Sequence, residues 1–223
     1  MAKMNKAVLG NFGGKVGNVV GRKFRTEAVV AAYQPVVANP RTLAQRMIRA
    51  RLALASQLSN AMAFSINNGL LQASRGTKWS PRNVFVKLNF ENVTGVAPDS
   101  LTVNYTNLVL SKGSLLQPSF GVPQFDNPQE VEVSYDFAAL PGTPSDYRVN
   151  LCVYSPDVDN SALKTVTPSA FTGTINFVVP QSFNGMAVKV YGWLEYVGED
   201  MGNYGVYKNA VCNSVYVGSG TIA

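Results

Sequence analysis

Few residues in this 223-residue chain could do chemistry. Two close acid pairs occur, Asp157 with Asp159 and Glu199 with Asp200. Paired carboxylates can divide acid and base roles, but both pairs sit among turn-forming residues, where Asp and Glu serve solubility and turn geometry. Asp157 to Asn160 clusters oxygen donors as a hard cation requires, yet the further spaced ligands of a calcium loop are missing. There is no histidine, which removes the commonest general base, the commonest metal ligand and the usual activator of a serine or cysteine nucleophile. Cys152 and Cys212 are too few for a zinc site. Each lies in an apolar, strand-like run, which predicts buried free thiols over the alternative of a disulfide. The glycines at 10, 13, 14, 17 and 21 resemble a phosphate-cradling loop only in number, because Gly14-Lys15 is followed by Val16 and no helix opens there. The expectation is a protein without enzymatic activity, cofactor or metal.

Charge carries more information. Residues 1–90 hold 14 Lys and Arg against one acid, Glu27, while residues 91–223 hold 5 against 12 acids. The first part is therefore +13 and the second −7, within a total of +6. Such a split points to a polyanion or an acidic neighbour as partner. The candidate contact residues are Lys15, Arg22, Lys23, Arg25, Arg41, Arg46, Arg49 and Arg51. They could track a phosphate backbone with salt-sensitive affinity. Aromatic stacking groups are sparse among them (Phe12, Phe24, Tyr33) and no base-reading module is visible, which weakens that reading. Acids on a neighbouring subunit are the favoured partner.

Local patterns set the elements that would position these cations. Residues 1–14 read as a glycine-rich arm. Val16 to Phe24 and Ala28 to Tyr33 read as two strands, and Asn39-Pro40 opens a helix running to about Asn68, with Asn as cap and Pro at the first position. Asn68-Gly69 reads as its stop. The expected apolar stripe is Leu43, Met47, Ala50, Leu54, Leu58 and Ala61, widened by Ala55 and Met62, with Arg51 projecting inside it. A buried arginine there would need a partner unless it snorkels to the helix edge. Ser80-Pro81 opens a second helix ending between Asn92 and Gly95. From residue 100 the pattern turns to strands: Leu101–Tyr105, Leu108–Leu110, Glu130–Phe137, Tyr147–Tyr154, Gly173–Val179, Ala187–Val197 and Ala210–Val217. The fold class expected is α+β, with a basic arm or hairpin (1–38), a two-helix region with connecting strands (39–111) and a C-terminal antiparallel Ig-like β-sandwich (112–223).

No stretch reaches the ~20 apolar residues of a membrane span. The opening segment lacks the apolar run of a secretory signal, so synthesis in the cytosol without membrane insertion is expected.

Two N-terminal motifs carry a family resemblance. Gly14-Lys15-Val16-Gly17-Asn18-Val19-Val20-Gly21 leads into basic and aromatic residues, and Asn39-Pro40-Arg41-Thr42 is followed by Ala44 and Gln45. With LVLSKGSL at Leu108–Leu115, VYSP at Val153–Pro156 and the ending Asn213–Ala223, the chain resembles a family of uncharacterised proteins from Bacteroidetes and their phages. Arg22-Lys23 is more basic than the usual counterpart. The resemblance implies N-terminal helices joined to a β-sandwich, no assigned activity and a virion component. A homo-oligomer of a phage tail or head-to-tail ring, contacting other virion proteins through the basic region, is thus the expected role. Non-specific nucleic-acid binding by the same cations is the alternative.

Overall fold

A computed structural model describes residues 2–4, 13–24, 27–36, 41–201 and 208–223, with only the backbone described at 2–4, 23, 24 and 27. The chain divides into two compact units, Met1–Thr42 and Leu43–Ala223.

The smaller unit is one antiparallel sheet. Its strands are β1 (Ala2–Met4), β2 (Gly14–Val16), β3 (Val19–Phe24) and β4 (Glu27–Ala32), in the order β1-β4-β3-β2. The expected strand Val16–Phe24 is in fact two. Val16 pairs with Val19, and Gly17 between them adopts φ +60°. A positive φ at the first of two loop residues makes the tight turn whose twist suits a hairpin, and glycine adopts it without strain. The expected arm is also corrected where it is described. Ala2 pairs with Val30, and Gly14 belongs to β2.

The larger unit begins with four helices: α1 (Leu43–Ala61), α2 (Ala63–Gly69), α3 (Leu71–Ser74) and α4 (Pro81–Asn89). The expected opening at Asn39-Pro40 lies outside the described residues. The long helix is interrupted at Met62 (φ −103°, ψ 23°). Hydrogen bonds from Met62 to Leu58, Ile66 to Met62 and Leu70 to Ile66 still cross the breaks, so α1 to α3 form one bent rod. Helix α4 starts as its sequence dictates, with the Ser80 hydroxyl accepting from Asn83 N and Pro81 at the first turn.

The strands that follow are β5 (Val93–Thr94), β6 (Thr102–Val103), β7 (Ser119–Phe120), β8 (Glu130–Asp136), β9 (Tyr147–Ser155), β10 (Asn160–Val166), β11 (Thr172–Val178), β12 (Ala187–Tyr196) and β13 (Val215–Thr221). They form antiparallel sheets β10-β9-β12-β13 and β11-β8-β7, plus the pair β5-β6. Leu108–Leu110 is not a strand. Ala210–Val217 becomes one only from Val215. Strand β10 was not expected, because NSALKTV lacks both an apolar run and strict alternation. It is an edge strand, and exposed polar residues such as Lys164 suit an edge that must not pair further.

Central strand β9 is buried on both faces except at Arg148. On one face lie the helices. Asn68 donates to Asn150 Oδ1 at 3.1 Å, and the Ser161 hydroxyl donates to the Ala61 carbonyl at 2.7 Å. On the other face lies the three-stranded sheet, where Phe137 beyond β8 meets Tyr147 at 5.3 Å between ring centroids. One continuous core runs through these layers, from Leu58, Met62 and Ile66 through Leu151 and Trp193 to Val131 and Val133. The alternation expected of Glu130–Phe137 holds, with Val131, Val133 and Tyr135 buried and the carboxylates on the other face.

Candidate interaction surface

The cations singled out by charge fall into two sets, one in each unit. In the smaller unit Lys15 on β2 and Arg22 on β3 are exposed. Register places Lys15 opposite Val20, and Arg22 is two residues further along the same strand, so the two cations share a sheet face. The Lys15 ammonium sits 3.5 Å from the centroid of the Tyr33 ring, a cation–π contact that orders the side chain while keeping its charge. Arg22 lines a cavity of about 590 Å3 with Val20, Val30, Ala31, Tyr33 and Gln34. Lys23 pairs through its backbone with Ala28, and Arg25 lies outside the described residues. Strand β2 is an edge and fully exposed, including Val16.

Arg41 is exposed just before the larger unit. On α1, Arg46 and Arg49 are exposed. Arg51 is half-buried, and its Nε is out of contact with water and without a hydrogen-bond partner. The Nε is thus desolvated while the side chain as a whole stays half-exposed. The expected apolar stripe is buried in its second half and not at its start. Leu43 is 56% exposed, while Ala55, Leu58 and Ser59 are buried. The second half of α1 is pinned in that orientation by Ser161 at Ala61 O, by Gln57 donating to Asp159 at 2.7 Å and by Arg82 donating to the Ser59 hydroxyl at 3.0 Å.

Sequence reasoning missed a groove between α1 and α4, about 270 Å3 and lined by Leu52, Ser56, Trp79, Asn83, Val86 and Lys87. The Lys87 ammonium lies 4.3 Å from the Trp79 ring centroid. The available signal was compositional: Leu43 to Asn89 contains seven basic residues and no acid.

Of the four paired acids, Asp157, Asp159 and Asp200 use their carboxylates as structural acceptors, and Glu199 its backbone carbonyl. Asp157 accepts from Ala187 N at 3.0 Å, and Asp159, at φ +46° in the β9–β10 turn, accepts from the Tyr154 hydroxyl at 3.0 Å. Asp200 accepts from Lys208 N, and the Glu199 carbonyl from the Tyr196 hydroxyl. Among the described residues no three Cys, Asp or Glu gather as a metal centre would need. Cys152 and Cys212 are buried and free, as expected, and burial pushes both thiols up to about 12. They are held protonated and unreactive at neutral pH. Glu195, half-buried on β12, has its carboxyl pushed up by desolvation, opposed by Arg148 directly across on β9. Among the described residues no helix is long and apolar enough to cross a membrane.

The fold defines a mixed α+β protein of antiparallel sheets in which 14 of the 19 Lys and Arg fall in residues 1–90, ahead of the larger sheets. The chain belongs to a family of unknown function (DUF6266), matched over residues 10–218. No curated protein and no solved structure matches it.

Proposed function

We propose that this is a non-enzymatic structural protein that assembles with copies of itself through its basic N-terminal half, as a component of a bacteriophage tail or head-to-tail ring. The carrying observation is the division of charge by layer: helices α1 to α4 hold cations without acids, whereas 12 of the chain's 13 acids follow them. A surface of one sign needs a counter-surface, and each copy supplies its own. The exposed apolar residues on α1 add the non-directional part of an interface. Two antiparallel sheets sharing a core support an Ig-like sandwich as the body. The virion setting rests on the phage-linked motifs at Gly14–Gly21 and Asn39–Gln45.

Light scattering of the full chain over a range of concentrations tests the assembly. A mass above one chain that falls with added salt supports it, and a monomer throughout removes it. Nucleic-acid binding is the second reading, favoured by Lys15 and Arg22 on one sheet face. Titration of random-sequence DNA at several salt concentrations discriminates, since phosphate contacts give affinity that falls steeply with salt.

A further inference from the structure

On α1 and at the break that follows it, the residues Ile48, Leu52, Ala55, Ser59 and Met62 follow one another at spacings of four, three, four and three, so they form a single stripe. In its second half the stripe is sealed: Ala55, Ser59 and Met62 are at most 1% exposed. In its first half the same stripe is bare, with Ile48 58% and Leu52 47% exposed. Beside it, Arg51 carries the buried Nε that no partner satisfies. Leu52 also forms one wall of the groove with Val86 and Lys87 on α4 and Trp79 just before it. A desolvated donor and a bare continuation of a core stripe mark a surface that is only partly covered within one chain.

The complementary surface is on the same molecule. The outer face of β8 presents Glu130, Glu132 and Asp136, with Ser134 between the last two. Register sets Asn176 and Val178 of β11 opposite Glu132 and Glu130, and Val178 is 69% exposed. From Gly113 to Tyr147 the chain has no Lys or Arg. An acidic strip with an apolar edge thus exists to match a cationic groove with an apolar floor. The like-charged surroundings of each surface disfavour self-pairing.

We propose that the bare half of α1 and its groove with α4 are covered in solution by the outer face of β8 and β11 of a second copy. This rests on the assembly reading above and names its contact. The two surfaces differ, so the association is head-to-tail, and such contacts close into rings or continue as filaments.

Two charge-reversed forms of the full chain test it, one carrying Arg49→Glu with Lys87→Glu, the other Glu130→Lys with Glu132→Lys. Circular dichroism and thermal melts check that each folds, with Glu132→Lys alone as a milder second form. In sedimentation velocity each alone should associate about tenfold more weakly than wild type, or worse. An equimolar mixture of the two should recover association, because the reversed helix face of one then meets the reversed sheet face of the other. A merely misfolded variant cannot give that recovery. Wild-type association by both variants, or loss without recovery on mixing, overturns the contact while the assembly reading stands. A wild-type chain that stays monomeric overturns both. If the helix variant loses only affinity for DNA or for an added acidic peptide, the surface belongs to that partner and not to a second copy.

Discussion

A Cβ on Gly69 would stand 2.4 Å from the Leu110 carbonyl oxygen and 2.9 Å from Ser111 Cα. Sequence reasoning took this glycine for a helix stop, and α2 does end there; its missing side chain also lets α2 touch the backbone of Leu110–Ser111. Backbone cannot yield as a flexible side chain can, so Gly69→Ala should cost about 1–3 kcal/mol, read as a shift in urea midpoint with unchanged slope. An unchanged midpoint would mean the approach is looser than this. Glu195 gives a pH signature. Its carboxyl is raised by desolvation, so the folded state holds the proton more tightly than the unfolded one. Its contribution is present below the unfolded carboxylate pKa and is lost as pH rises through the folded one. Glu195→Gln should therefore melt above wild type at neutral pH, with the gap closing toward acid. A gap that widens toward acid contradicts the sign. The buried thiols of Cys152 and Cys212 should resist a thiol reagent at pH 8 in the native state and react fully on unfolding.

Elements with strong local chemistry were legible in the sequence. Helix α4 begins where Ser80-Pro81 puts it, and β8, β9, β11 and β12 follow their apolar patterns, because a half-buried or buried strand must show its burial in its residues. What failed depended on partners distant in sequence. Which half of α1 is covered is set by Ser161, Asp159 and Arg82, at separations of up to about a hundred residues. The segment Leu108–Leu115 looks like a strand in composition, but it is held by side chains from elsewhere. Asn89 Oδ1 accepts from Val109 N at 2.8 Å, Ser214 Oγ from Leu110 N at 2.9 Å, and the Ser111 hydroxyl donates to Cys212 O at 2.6 Å. Leu108–Leu115 is therefore clasped to the segment around Cys212–Ser214. The acid-rich turn before β10 is similarly structural. Asp159→Ala removes a left-handed residue's local support and two acceptor bonds, and should lower stability by about 1–3 kcal/mol. Calcium should leave the wild-type melting temperature unchanged; a rise with added calcium would restore the turn as a cation site.

At the scale of the whole molecule, composition made the charge division visible, but not which layers carry it. A boundary expected between residues 111 and 112 falls within Leu108–Leu115, where Lys112 N donates to Gly69 O at 3.2 Å and Leu115 N to Val211 O at 3.1 Å. Helices and sheets also bury their side chains in a common cluster, with Leu151 and Trp193 fully enclosed. Layers that share a core lose stability together, because opening one leaves the apolar face of the next in water. Leu151→Ala, between the two sheets, should cost about 2–5 kcal/mol. Its effect should reach the helices: hydrogen exchange should speed up at Ile66 and Leu70 of the rod by the same factor as at Val133 of β8. If the helical amides kept wild-type protection while β8 lost its own, the helices would be a separate domain resting on the sheets. The charge division would then be one between domains, and the cationic groove could be studied apart from the acidic face it is proposed to meet.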